Sequence, residues 1–485
     1  VSKTTEPGPD ALVDEGSFEP VSPRATSDPL GYPGYREMLE AARSSSGQAE
    51  SVVGGPARID GHDVELAWFV FDFLGGSMGE AAGEQLAAGL ERAALRKVPF
   101  VLRTSTGGAR MQEGMRALVQ MPKVVTARLA LGRARQPLIA VLGNPTTGGV
   151  LASIAALADV TAAEAEATVG FAGPRVAEAF TGAPLSGNSH SAQSAMMNGL
   201  VDMVVPPDGV RDYVARVLRV LDHDPLPAED PPDPARGKGG EDPWDVVQAA
   251  RSPERTRAPH FLVAISDASV QLRGDRAGTQ DPAVVTHIAR VAGRPFVAIA
   301  LDSRFSPGPG GFRKARRCVE IASRLDLPIV TIVDTRGADP SEASENAGIA
   351  WEIARLFEAM LTAPVPILSI VSGEGGSGGA LAFATADLVL AYESSVFSVI
   401  GPELAAQILW RDVSRAPDAA RALRLTARDL VDLGIADGLL AEPFTADSLI
   451  RAVAYHLAGL EARSASADEL VTQRQRRWRG PAGGN

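Results

Sequence analysis

Short, almost uninterrupted apolar runs alternate along the chain with longer segments whose apolar positions recur every three or four residues. In the first half "VPFVLRTS" and "PLIAVLGN" read as buried strands, and "MQEGMRALVQMPKVVTARLAL" between them carries helical periodicity. In the second half "PFVAIALD", "PIVTIVDT", "PILSIVSG" and "LVLAYES" repeat the strand pattern, with helical stretches such as "FRKARRCVEIASRL" between them. Strand and helix in alternation predict right-handed crossovers and largely parallel pairing, an α/β fold.

The two halves also match each other. "VPFVLRTSTGGARMQEG" aligns with "LPIVTIVDTRGADPSEA", and "QPLIAVLGNPTTGGVLAS" with "VPILSIVSGEGGSGGALAF". Pairing Gly108 with Gly337, Gly148 with Gly378 and Gly173 with Gly401 keeps the offset near about 230 residues, which marks an internal duplication. At 485 residues the chain exceeds the roughly 250 to 300 that one hydrophobic core sustains, so two domains are expected. Composition sets their limits. Residues 1–27 are polar and rich in Pro, Ser and Glu, and read as a flexible leader; 226–258, opening on a Pro-, Gly- and charge-dense stretch, reads as a linker; 464–485 reads as a fraying tail. The domains then span 28–225 and 259–463.

Apolar residues at 45% and charged ones at 22% fit a soluble globular protein, and a net charge of −12 argues against nucleic-acid binding. No apolar run reaches the roughly 18 residues a membrane helix needs, and no signal-like stretch opens the sequence, so no membrane association and a cytoplasmic location are expected. The single cysteine, Cys318, excludes an internal disulfide and a thiolate-rich zinc site, and no metal is expected.

Each half carries two glycine-rich strand-to-helix turns. The first is Thr106-Gly107-Gly108-Ala109-Arg110 or Thr335-Arg336-Gly337-Ala338-Asp339; the second is Thr147-Gly148-Gly149-Val150 or Ser377-Gly378-Gly379-Ala380. Glycine permits the turn and a close ligand approach, and a helix starting there leaves its first N–H groups unpaired. Two such turns face to face make an oxyanion hole; tight helix-sheet packing is the plainer alternative. "GGSGG" also satisfies the spacing of a hydrolase nucleophile elbow at Ser377, but the only later histidine, His456, lies in a helical segment far from any turn signal. No Lys-Ser or Lys-Thr ends a glycine loop, which removes a phosphate-binding loop of that type.

The stretches "FDFLGGSMGEAAGEQLAAGLERA", "TSTGGARMQEGMRALVQM", "NPTTGGVLAS" and "ATVGFAGPRVAEAF" resemble the β subunit of bacterial acetyl-CoA carboxylase carboxyltransferase. "LRGDRAGTQDPAVV", "GEGGSGGALAFATADLVLA" and "LTARDLVDLGIADGLL" resemble its α subunit, so the chain is similar to a β–α fusion from about Asp28 to about Pro443. The resemblance implies two tandem crotonase-like domains. It implies a homo-oligomer whose sites bring the N-domain of one chain against the C-domain of another. It assigns the thioester oxygen of an acyl-CoA to Gly148 and Gly149, opposed by Gly108-Ala109. It assigns the ureido oxygen of biotin to Gly378, Gly379 and Ala380, opposed by Gly337-Ala338. Gly107, Gly173 and Ala382 would line the substrate, and Arg110 would meet CoA phosphate or form a structural ion pair. Arg175 and Arg313-Lys314 read as surface or interdomain pairs, and Glu374 as a possible cap of its turn.

The implied reaction moves a carboxyl group from carboxybiotin to acetyl-CoA or another short acyl-CoA: CO2 is released, the ureido anion takes the α-proton, and the enolate attacks CO2. Both half-reactions place negative charge on a carbonyl oxygen, so backbone donors suffice. No methionine precedes a lysine, so an Ala-Met-Lys-Met biotinylation site is absent, and biotin carboxylase and a biotin carboxyl carrier protein are expected as separate partners. Three departures from the family stand out: no zinc-ribbon cysteines, Asn144 for aspartate, and Arg336 and Asp339 where the α subunit has proline and tyrosine. A malonyl-thioester decarboxylase of the same fold and a non-catalytic assembly subunit are the rivals.

Overall fold

Residues 8–23, 26–223, 232, 241–266, 268–442, 445–463 and 466–480 are described by the computed structural model of the chain. They divide into two compact units, Val1–Arg219 and Val220–Asn485.

The first unit is built on a seven-stranded sheet. Its strands are β1 (Val52–Ile59), β2 (His62–Phe69), β3 (Phe100–Thr106), β4 (Leu138–Thr147), β5 (Val160–Glu164), β6 (Val169–Gly170) and β7 (Met203–Val205). The order is β1-β2-β3-β4-β5-β7, with β6 paired to the far end of β4. Only the β1–β2 hairpin is antiparallel. Every residue of β3 is buried, as expected of a parallel strand covered on both faces. Helices Glu80–Arg96 and Gln120–Arg133 pack on each other and close one face around Leu86, Leu90, Phe100, Val124 and Leu138.

The second unit repeats this plan. Its strands are β8 (Ala268–Leu272), β9 (Val284–Val291), β10 (Arg294–Leu301), β11 (Ile329–Thr335), β12 (Ile367–Gly376), β13 (Leu388–Tyr392), β14 (Val396–Ser398) and β15 (Gly438–Leu440). The order β15-β13-β12-β11-β10-β9-β8, with β14 paired to β12, is the first sheet plus one extra edge strand, β8. In both units the central parallel pair slips register near its end, so that Thr106 pairs with Thr146 and Thr335 with Gly375. Both strands keep one offset between the units, 229, before the slip and after it. The left-handed residues that follow obey it too: Gly148 (φ 64°) matches Ser377 (φ 60°), and Gly108 (φ 110°) matches Gly337 (φ 130°). The expected pairing of Gly148 with Gly378 is therefore one residue out, because a serine has taken the place of the first-unit glycine.

Three stretches expected to be loose are packed where they are described. Leu12 and Val13 are buried, and Val21 bridges to Gly54, so 8–23 lies along β1. Within the expected linker, 241–258 holds the helix Pro243–Ala250, capped by Asp242, and buries Val246, Val247 and Ala250 against Val396 and Leu425; 224–231 and 233–240 lie outside the described residues. Ala467–Arg479, in the expected tail, is a helix. In each case a few apolar or cationic residues within a polar stretch find long-range partners that composition does not reveal.

Candidate active site

At the C-terminal ends of β3 and β4 the two turns of the first unit meet backbone to backbone. A Cβ built on Gly148 would lie 2.9 Å from the Gly108 Cα, and one on Gly108 would lie 3.1 Å from the Gly148 Cα. Only bare main chain allows this approach, and both residues have positive φ. The meeting leaves specific donors. The N–H of Gly107 is taken by the Gly75 carbonyl at 2.9 Å, that of Gly108 by Thr106 Oγ1 at 3.0 Å, and that of Gly148 by the Phe171 carbonyl at 2.9 Å. Ala109 bridges to Met78 through its neighbours, with Met78 N–H donating to Gly108 and Arg110 N–H to Met78, so its own N–H has no acceptor among the described residues. Gly149 stands second in the helix Gly148–Leu151, whose first turn has no side-chain cap. Its N–H and that of Ala109 are the open donors, and Gly107, Gly108 and Gly148 shape the site without donating to it.

The second unit builds the same arrangement at the ends of β11 and β12. A Cβ on Gly376 would fall 1.9 Å from the Arg336 carbonyl oxygen, and one on Gly379 would fall 2.8 Å from the Ala338 nitrogen. Gly337 N–H reaches Thr335 Oγ1 at 3.3 Å, whereas Ala338 N–H has no acceptor among the described residues. Gly378 and Gly379 occupy the uncapped first turn of the helix Ser377–Ala384. Ala380, the fourth helical residue, makes the first intrahelical bond instead, and its side chain is fully buried. Ala382 is fully buried as well and presents no surface within its unit, because the helix turns it into the core. Gly173, the N-cap of Pro174–Thr181, has open space around it. Ser377 sits exposed on the elbow at φ 60°, but His456 stacks edge-on against Tyr455 on the helix Ala446–Arg463 and no histidine bonds to the serine among the described residues.

Arg110 does not face a ligand. Only 1% exposed, it donates to Glu50, to Glu113 at 3.2 Å, to Tyr35 Oη at 3.3 Å and to the Ser77 carbonyl at 2.7 Å. It ties the first turn to Glu50, just before β1, and to the helix Tyr35–Ser46. Burial pushes the Glu50 carboxyl up, but the bonds from Arg110, Thr26 and Ser51 and the charge of Arg110 outweigh it, leaving Glu50 below its usual range. Lys314, expected at the surface, is 1% exposed and donates to the carbonyls of Asp281 and Val284; burial lowers it to about 8.

Two residues that pattern reading passed over hold the second-unit turns. Arg251 makes a bidentate pair with Glu374 (2.7 and 2.8 Å) and reaches Glu403 at 2.5 Å. Arg255 reaches Asp334 at 2.5 Å and packs over Gly373, where a Cβ would be 2.7 Å from its Nη2. Glu374 is thus an ion-pair partner, not a cap. Their signal was the arginine-rich "RSPERTR" directly after an amphipathic "PWDVVQAA". The departing residues Arg336 and Asp339 part ways. Asp339 accepts from Ser341 and Ser344 and braces its own loop, whereas Arg336 is 66% exposed with Glu374 at 3.5 Å.

The sequence profile described as acetyl co-enzyme A carboxylase carboxyltransferase-like matches residues 240–480. The acetyl-coenzyme A carboxylase carboxyl transferase subunits beta/alpha of Salinispora tropica is 42% identical over 504 residues, covering 96% of this chain and 88% of that one. A probable biotin-dependent acyl-coenzyme A carboxylase beta3 subunit of Mycobacterium bovis is 36% identical, covering 98% of each. Among solved structures, the transcarboxylase 12S hexamer with methylmalonyl-coenzyme A and methylmalonic acid superposes with a TM-score of 0.79 at 23% identity, over 94% of this chain and 89% of that one. That likeness establishes the fold: two tandem crotonase-like domains.

Proposed function

Because this chain belongs to the acetyl-CoA carboxylase carboxyltransferase family, we propose that it is the carboxyltransferase component of a biotin-dependent acyl-CoA carboxylase, acting on a short acyl-CoA, with acetyl-CoA the simplest acceptor and malonyl-CoA the product. The observation that carries this reading is the duplicated set of open donors: Ala109 with Gly149 in one unit, and Ala338 with Gly378 and Gly379 in the other.

The first pair holds the thioester oxygen of the acyl-CoA as negative charge gathers there during enolisation. Each such donor is worth about 3 to 4 kcal/mol to the charged state, enough to make the α-proton removable without a side-chain base. The second pair suits the ureido oxygen of biotin: the bare Gly379 leaves the Ala338 N–H uncovered, a cradle that one methyl group would fill. Bound on its carrier, biotin supplies the carboxyl group and the base. The chain's own contribution is to orient both reactants and to stabilise their oxygens. A biotin carboxylase and a biotin carboxyl carrier protein are its partners in this scheme, and the hexameric assembly of the 12S neighbour favours a homo-oligomer here too.

The test is malonyl-CoA incubated with the purified chain, with and without free biotin. Carboxyl loss that requires biotin supports transfer. Biotin-independent loss identifies a direct decarboxylase, and no loss with either, from folded protein, identifies an assembly subunit. An acyl-CoA panel with a biotinylated carrier then fixes the acceptor.

A further inference from the structure

Beside the second-unit turns, five arginines line a cavity of about 150 Å³ with Glu374 as its single acidic wall residue. The arginines are not equally engaged. Arg251 is held by Glu374 and Glu403, Arg255 by Asp334, and Arg304 by Asp302 at 2.5 Å. Arg336 approaches Glu374, which already carries two bonds from Arg251, at 3.5 Å and acts through its charge on Glu403; Arg257 makes no ion pair among the described residues and acts only through its charge on Asp302. Five guanidinium groups thus face four carboxylates, and the cluster keeps a positive excess concentrated on Arg257 and Arg336. Guanidinium stays charged at any ordinary pH and presents a planar fork matched to oxyanions. Arg257 also stands at the uncapped start of the helix Ala258–Ile265, while the hydroxyl-bearing Ser252 and Ser303 add neutral donors to the wall.

We infer that this cavity is a binding site for a small oxyanion of phosphate size, clamped between Arg257 and Arg336. The volume equals that of roughly five liquid waters, which admits a tetrahedral anion with part of its shell. An occupied clamp would hold Arg336 against the exit of β11, directly before Gly337 and Ala338, and so bear on the donor turn. The inference rests on the cavity and its charges alone and does not depend on the carboxyl-transfer reading.

Isothermal titration of the full chain with inorganic phosphate at constant ionic strength tests it. One saturable site per chain is expected, weakened at least tenfold by Arg257→Ala and by Arg336→Ala, and unchanged by the exposed control Arg133→Ala. Circular dichroism melts confirm that the variants fold. Absence of saturable binding up to 20 mM (roughly the weakest affinity a two-arginine clamp should show), or affinity unchanged in both variants, overturns the site. Repeating the titration with CoA present separates the sources: displacement of phosphate identifies a phosphate group of CoA as the ligand, and undiminished phosphate binding identifies a free oxyanion. Activity enters none of these readouts, so failure of the site and failure of the proposed function remain distinguishable.

Discussion

Arg110 follows the first glycine turn at a position from which sequence alone allowed a phosphate contact or an ion pair. Burial decides between them: with Glu50, Glu113 and Tyr35 around it, the guanidinium has no face left for a ligand. Arg110→Met should therefore act on stability, costing about 3 to 5 kcal/mol in urea unfolding because it strands two buried carboxylates. The same cluster predicts an acid response. Glu50 has a folded pKa below its unfolded one, so its contribution is complete above the ordinary glutamate range and is lost as pH falls through the lower, folded value. Urea midpoints between pH 5 and about pH 3 should fall for the wild type and stay flatter for Glu50→Gln. At the donor turns, Gly379→Ala should cut transfer by about 10²- to 10³-fold, since its methyl covers the Ala338 N–H. Gly378→Ala meets open space and should melt within about 2 °C of the wild type, a surface-like change.

Among the elements, helix Pro309–Leu325 carries the most unusual residue, a lysine fully inside the protein. The folded pKa of Lys314 is about 8 and the unfolded one ordinary, so between these values the unfolded chain holds the extra proton and stability rises with pH. The expected gain is about 3 kcal/mol from pH 8 to pH 10.5, read from urea midpoints, and Lys314→Met should remove the slope. The C-terminal helix Ala467–Arg479 makes a separate case. Arg474 donates to Asp387 and to the carbonyls of Met360, Ala363 and Val365, satisfying the end of the helix Ile349–Thr362. Arg474→Ala should cost about 3 kcal/mol, read as a lower thermal midpoint, because four acceptors lose their donor while Asp387 stays buried. Strands and long helices were legible from periodicity, since both depend on neighbours a few residues away. This helix was not: its anchoring residue reaches partners 87 to 114 positions distant.

For the whole molecule, the duplication has a kinetic consequence. If each unit serves one reactant, Gly149→Val should raise the KM for malonyl-CoA in the biotin-dependent assay, and Gly379→Ala the KM for free biotin. Equal changes in both constants would show that the units do not divide the work. No helix among the described residues is long and apolar enough to cross a bilayer.

Alternation of strand and helix, the repeat, and the glycines at each turn were all readable in the chain, because local dihedral preference and hydrophobic spacing act over short distances. Which amides stay open was not. Gly148 loses its N–H to Phe171 and Gly108 to Thr106, while Ala109 keeps its own, and only the folded backbone decides among chemically identical groups. The correspondence of Ser377 with Gly148 was hidden too, because the strand register, and not the matching of glycines, fixes the offset between the units. Arg251 and Arg255 complete the lesson: composition marked their segment as a linker, and carboxylates 79 to 152 residues away tie it to the second-unit turns.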